Sequence, residues 1–169
     1  PPILSRDGAS LTIAKTRRNL PEALSPQIKS TNFLNNILAK RESIAAGTFD
    51  SLFLNWKDEL TECTVSNLFF ISGKTLHTPA LDCGILDGIT RTIVMTLAQE
   101  EGVPVREGHY HLADLQRAEE CFLTNTSMEI MPVNRVDSFA IGDGRPGSLT
   151  RRLQTRFADS RTRFLEPPS

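Results

Sequence analysis

The 169-residue chain carries 19 Lys and Arg against 20 Asp and Glu, a formal net charge of -1. That length suffices for one domain with a real core, and the balanced charge gives no electrostatic case for nucleic acid. No apolar run approaches the roughly 20 residues that a membrane-spanning helix needs. Three widely spaced cysteines, Cys63, Cys83 and Cys121, indicate a reduced, cytoplasmic setting rather than a disulfide framework.

The chain opens on Pro1-Pro2 without a methionine and soon meets the alternating run 11–16, "LTIAKT", which reads as a strand. A strand reached so early is expected to follow an upstream segment, so the chain reads as a piece of a longer protein. Residues 19–28, with two prolines, read as a loop. A helix is expected from Ser30 to Ala46, capped by Ser30 or Thr31 and stopped by Gly47. Its apolar face would be Phe33, Leu34, Ile37, Leu38, Ile44 and Ala45.

Two short strands follow, "SLFLN" and "NLFFIS", separated by "WKDELTECTVS"; a Gly73-Lys74 turn and "TLHTP" come next. A second helix is expected from Gly88 to Glu101, capped by Asp87, stopped by Gly102 and striped by Ile89, Ile93, Val94, Leu97 and Ala98. "HLADLQRA" reads as a short helix. "ECFLTN" and "EIMPVNRV" read as strands around the polar "NTSM", and the glycine-rich "IGDGRPGS" leads into a last helix over Leu149 to Phe157. Strands and helices mix without a regular βαβ repeat, so the expected class is α+β.

Four features could carry chemistry. Lys29, between a proline-broken stretch and a helix, becomes a nucleophile if its apolar neighbours hold it partly desolvated; an ordinary exposed lysine is the alternative. Glu62, just before an apolar strand, needs a partner if buried, and a protonated pyridine nitrogen is one such partner; a plain turn acid is the alternative. "DCGILDGITRTIV" opens a helix with Ile89 and Thr90, whose free N–H groups and hydroxyl suit a phosphate. Asn125, Thr126 and Ser127 form a polar turn that can offer donors to an anion, or simply a solvated loop. His109 and His111 lack CxxC or HExxH partners, so no metal site is expected. A lysine for an aldehyde, an acid for a ring nitrogen and two donor turns for a phosphate are the parts that pyridoxal 5'-phosphate requires.

The stretches "IKSTNFLNNILAKRES", "LTECTVSNLFFISGKTLHTP", "GILDGITR", "EECFLTNTSMEIMPV" and "IGDGRPGSLTRRL" occur in one order from about Thr12 to Phe157. In that order and spacing the chain resembles the class IV, or fold type IV, pyridoxal-phosphate enzymes: branched-chain and D-amino acid aminotransferases and 4-amino-4-deoxychorismate lyases. The resemblance implies the large C-terminal domain of the D-amino acid aminotransferase-like fold, a mixed sheet or pseudo-barrel flanked by helices. Residues 1–169 would be that single domain, with the family's smaller N-terminal domain absent. It implies a Schiff base on Lys29, which also shuttles a proton, and a Glu62 carboxylate on the pyridinium nitrogen. Ile89 and Thr90 would bind phosphate from the helix start, with Asn125 and Thr126 in a second phosphate turn. The Ser127 N–H would meet phosphate or a substrate carboxylate.

The implied activity is amino-group transfer between an amino acid and a 2-keto acid by a cytoplasmic homodimer. The alternatives are a lyase releasing pyruvate and 4-aminobenzoate from aminodeoxychorismate, and a catalytically incomplete domain. One departure is visible. Some branched-chain enzymes of the family place a tyrosine five residues beyond the lysine, where this chain has Leu34.

Overall fold

In the computed structural model, which describes residues 6–160, the first strand, β1 (Ala9–Ile13), lies between two parallel neighbours. One is β2 (Asp50–Leu54), reached through a crossover that contains helix α1 (Leu34–Ala46). The other is β8 (Glu129–Val136). From β2 the chain turns back antiparallel into β3 (Leu60–Cys63), then into β4 (Asn67–Ser72), and β4 pairs with β7 (Glu120–Asn125), which pairs with β8. The path β3-β2-β1-β8-β7-β4 closes on itself through the Glu62–Asn67 pairing of β3 with β4. Closure leaves these strands as a barrel whose hydrogen bonds need no free edge along the ring. The far end of β4 instead carries β5 (Thr75–Pro79), and β6 (Val105–Gly108) adds parallel to β5. The short β9 (Phe139–Ala140) extends β8. Pro1 and Pro2 lie outside the described residues.

Why "NLFFIS" is apolar without alternation follows from what covers β4. Phe70 points into the barrel with Leu11, Leu52, Leu68, Leu123 and Val133. Its neighbours Phe69 and Ile71 point outward, against α2 (Ile89–Glu100) and α3 (Ser148–Asp159), through Val94, Leu97 and Leu153. Both faces are dry, so the strand reads as a continuous apolar run. Phe69 stacks on Phe122 of β7 with ring centroids 5.0 Å apart, adding to the outer layer. The α+β expectation, with a pseudo-barrel flanked by helices, is therefore met. Strands β3, β6 and β9 went unseen in the sequence; β3 and β6 are four residues each, and polar or charged residues interrupt their apolar pattern.

Helix α1 corrects two expectations. It starts at Leu34 rather than Ser30, and neither Ser30 nor Thr31 caps it. The Ser30 hydroxyl accepts the Asn32 N–H and the Thr31 carbonyl accepts the Phe33 N–H, local bonds that compete with helix. Its apolar side also faces out: Ile44 is 69% exposed, Leu34 63% and Ile37 52%, whereas Ala39 and Ser43 are fully buried. Small and polar groups make the inner contact. Ala39 packs with Ala14 and Phe53, its carbonyl accepts the Ser51 hydroxyl at 2.6 Å, and Glu42 accepts the backbone N–H groups of Lys15 and Thr16. The helix end is as expected, with Gly47 at φ 68°, a left-handed turn natural to glycine.

The inversion sets an order of mutational effects. Ala39→Leu should overpack the contact with Phe53 and cost about 1–3 kcal/mol, while Ile44→Ser should change stability by no more than about 0.5 kcal/mol. Urea midpoints check this, and the opposite order would mean that the apolar side is the packed one.

Candidate active site

The pairing that closes the barrel also places the acid. Glu62 is the third residue of β3, opposite Asn67 of β4, and is 5% exposed. Its Oε1 accepts Arg18 Nη2 at 2.5 Å; its Oε2 accepts Asn67 Nδ2 at 3.0 Å and the Leu86 N–H at 3.1 Å. Arg18, itself 8% exposed, also donates to the Gly84 carbonyl and to Asn36 Oδ1, and it lies over the Phe53 ring. Burial pushes the Glu62 carboxyl up to about 7, against the opposing pull of Arg18, the Leu86 N–H and the charges of Arg91 and Lys29. A carboxylate offers about four acceptor positions. Three are taken, leaving one for a further donor, and a cation arriving there would favour the ionised form.

The first turn of α2 forms a neighbouring wall. Gly88, not Asp87, is the N-cap, and no side chain caps the helix; Asp87 turns to Arg91 at 3.5 Å instead. A Cβ on Gly88 would stand 2.1 Å from Asn67 Oδ1, so only glycine brings the helix start this close to the residue that holds Glu62. The first-turn N–H groups have no intrahelical partner, and the helix dipole makes this end attractive to an anion. Ile89 is 78% exposed, whereas Thr90 is buried.

Lys29, Glu62, Ile89, Thr90, Asn125 and Thr126 all line one cavity of about 480 Å³, a size suited to a small organic ligand. Residues from every predicted feature meet there, although they come from separate strands, turns and a helix start. Two details differ from expectation. Lys29 is exposed rather than partly desolvated, and the neighbouring Ile28 is 63% exposed, because apolar neighbours in sequence do not cover a side chain that no tertiary contact covers. Ser127 does not line the cavity, and its N–H donates to Asn125 Oδ1 at 3.0 Å. Asn125 also accepts the Met128 N–H and donates to the Val65 carbonyl, so its side chain shapes the turn that presents Thr126.

Sequence reading missed the groups that support these residues. Arg18 sits in "TRRN", a basic pair that looks like a solvated surface, and only the barrel brings it to Glu62. Ser66 and Thr124 line the same cavity with buried hydroxyls that have no partner among the described residues. Such hydroxyls need a ligand or water, and they fit a polar guest.

A model of the family described as "Amino-transferase class IV" matches residues 1–136. The D-alanine aminotransferase of Listeria monocytogenes is 38% identical over 136 residues, 80% of this chain and 47% of its own length. The aminodeoxychorismate lyase of Bacillus subtilis is 36% identical over 151 residues, 89% of this chain and 50% of its own length. Among solved structures, the T.th. branched-chain amino acid aminotransferase with pyridoxamine 5'-phosphate superposes with a TM-score of 0.89 at 30% identity, covering 92% of this chain and 52% of that one. The chain thus spans about half the length of the curated relatives it matches. With sequence, fold and family model in agreement, the chain belongs to the class IV aminotransferase family.

Proposed function

We propose that these residues form the cofactor site of a pyridoxal 5'-phosphate enzyme that moves an amino group between an amino acid and a 2-keto acid. The observation that supports this most is the convergence of Lys29, buried Glu62 and the uncapped start of α2 on one cavity. When bound, the cofactor supplies an aldehyde for amines and a ring that accepts electron density from the substrate carbon. Glu62 holds the proton of the ring nitrogen with its remaining acceptor position and keeps the nitrogen cationic. The N–H groups of Ile89 and Thr90 bind phosphate, together with the hydroxyl of Thr126. Asn125 fixes the turn that carries Thr126. The Lys29 amine anchors the aldehyde and then, as a neutral base, moves the proton at the substrate α-carbon.

A lyase acting on aminodeoxychorismate would use the same residues, and the Bacillus subtilis relative favours keeping it as the second reading. Products separate the two: a keto acid in one case, pyruvate with 4-aminobenzoate in the other. A homodimer in a reducing cytoplasm belongs to the same proposal, supported by the uncovered apolar side of α1 and three unpaired, buried cysteines; sedimentation tests the dimer. Among the described residues no helix is long and apolar enough to cross a membrane.

Borohydride trapping is the direct test. The chain is mixed with pyridoxal phosphate, reduced, digested and mapped by mass spectrometry. Label on Lys29 supports the proposal and shows that these residues suffice for attachment; label scattered over surface lysines removes its basis.

A further inference from the structure

Beside the start of β3, three side chains with metal-binding atoms converge. Glu59 lies just before β3, Cys83 in the short 3-10 turn Leu81–Cys83 after β5, and His109 just after β6. None of the three lines the cavity described above. We propose that Glu59, Cys83 and His109 form a site for a divalent metal ion of the zinc class, held by one oxygen, one sulfur and one imidazole nitrogen.

The distances carry this assignment. His109 Nδ1 lies 3.0 Å from Glu59 Oε1 and 3.6 Å from Cys83 Sγ, and the three donor atoms all fall within 4.8 Å of one another. A tetrahedral ion with bonds of about 2.0–2.3 Å sets its donors roughly 3.3–3.7 Å apart, so small side-chain shifts admit one. The set joins a soft thiolate and a borderline imidazole to one hard carboxylate, and the sulfur and nitrogen donors suit zinc rather than calcium or magnesium. Three protein ligands leave a fourth position for water, and the 44% exposed His109 side chain gives the ion a way in from solvent.

The surroundings are those of a built site. His109 Nε2 lies 3.3 Å from Asp82 Oδ2, the carboxylate–imidazole pairing that turns the other nitrogen toward a metal. Glu59 Oε2 accepts Asn55 Nδ2 at 2.7 Å, and Asn55 Nδ2 also reaches the Cys83 carbonyl at 3.2 Å. One amide thus sets the relative position of two ligands. Cys83 binds as thiolate, releasing its proton to water on coordination. A metal here ties β3 and β6 to the turn that runs through Leu86 and Gly88 into the cavity wall. The site stands independently of what the cavity binds.

Cobalt(II) is the probe, titrated into the reduced full chain after chelator treatment, with zinc as competitor. The expected result is one equivalent bound, tetrahedral visible bands and a near-ultraviolet sulfur-to-cobalt band, all displaced by zinc. Cys83→Ser should lose the sulfur band while Cys63 and Cys121 remain. His109→Ala should lose stoichiometric binding, and Asp82→Asn should weaken it about 10–100-fold. Circular dichroism of each variant verifies folding. Absence of stoichiometric binding by the wild-type chain, or a sulfur band that survives Cys83→Ser, overturns the site. His109 would then be a bridge between two carboxylates, and because the first result needs no variant, a misfolded mutant cannot shelter the proposal.

Discussion

Lys29→Ala is expected to abolish borohydride-stable attachment of pyridoxal phosphate and to lower turnover by about 10²–10⁴-fold through loss of the acid–base group alone. Its effect on stability should be no more than about 0.5 kcal/mol, because Lys29 is exposed and makes no hydrogen bond or ion pair among the described residues. That contrast distinguishes chemistry from scaffolding. Lys29→Arg sharpens it: the guanidinium keeps the positive charge facing Glu62 but cannot shed a proton near neutral pH to act as nucleophile or base. If Lys29 matters only as a charge, arginine should retain activity; if it is the reacting amine, arginine should be as inactive as alanine. The readouts are mapped label, turnover and urea midpoint. A Lys29→Ala protein that still captures cofactor at one defined lysine would move the anchor elsewhere.

The fold was legible where local pattern and burial coincide. "NLFFIS" announced a strand, Gly47 a helix stop and Leu149–Phe157 an amphipathic helix, and each is found close to where it was expected. Helix α1 was legible as a helix but not in its orientation. It carries four large apolar residues, yet the barrel accepts Ala39 and Ser43 because the turn after β1 and Ser51 of β2 already fix the backbone at close range. A hydrophobic stripe says that a face wants covering; it does not say that the rest of the same chain covers it.

Much the same limit governed the site. Lys29, Glu62, Thr90 and Thr126 could be named from residue type and motif order, since each sits at a turn or an element's end. Arg18, Ser66, Asn67 and Thr124 could not, since their roles arise only when β3 closes on β4 and β1 ends beside them. The Glu59–Cys83–His109 cluster was hidden for a related reason. A search for closely spaced ligands passes over a cysteine and a histidine brought together by the parallel pairing of β5 and β6.

Breaking the buried pair should give a large stability effect, and one that depends on pH. Glu62 has its carboxyl raised from the ordinary 4.5 to about 7. Between those values the folded state binds a proton that the unfolded state has lost, so stability falls as pH rises through this window, by up to about 3 kcal/mol. Above it the ionised carboxylate depends on Arg18. Arg18→Met therefore leaves a buried anion without its cation and should cost about 3–5 kcal/mol at pH 8. At pH 5, where Glu62 is already protonated in the wild type, the same substitution should cost distinctly less. Glu62→Gln should flatten the wild-type slope between pH 4.5 and 7, and the Arg18→Met, Glu62→Gln double variant should recover most of the loss at pH 8. Urea unfolding at the two pH values measures all four proteins. A cost of Arg18→Met that is equal at both pH values would show that the guanidinium acts by packing over Phe53 and by its bonds to Gly84 and Asn36, with the carboxylate a bystander. A cost confined to high pH ties it to the charge of Glu62, the same charge that the proposed cofactor site uses to hold a cationic ring nitrogen.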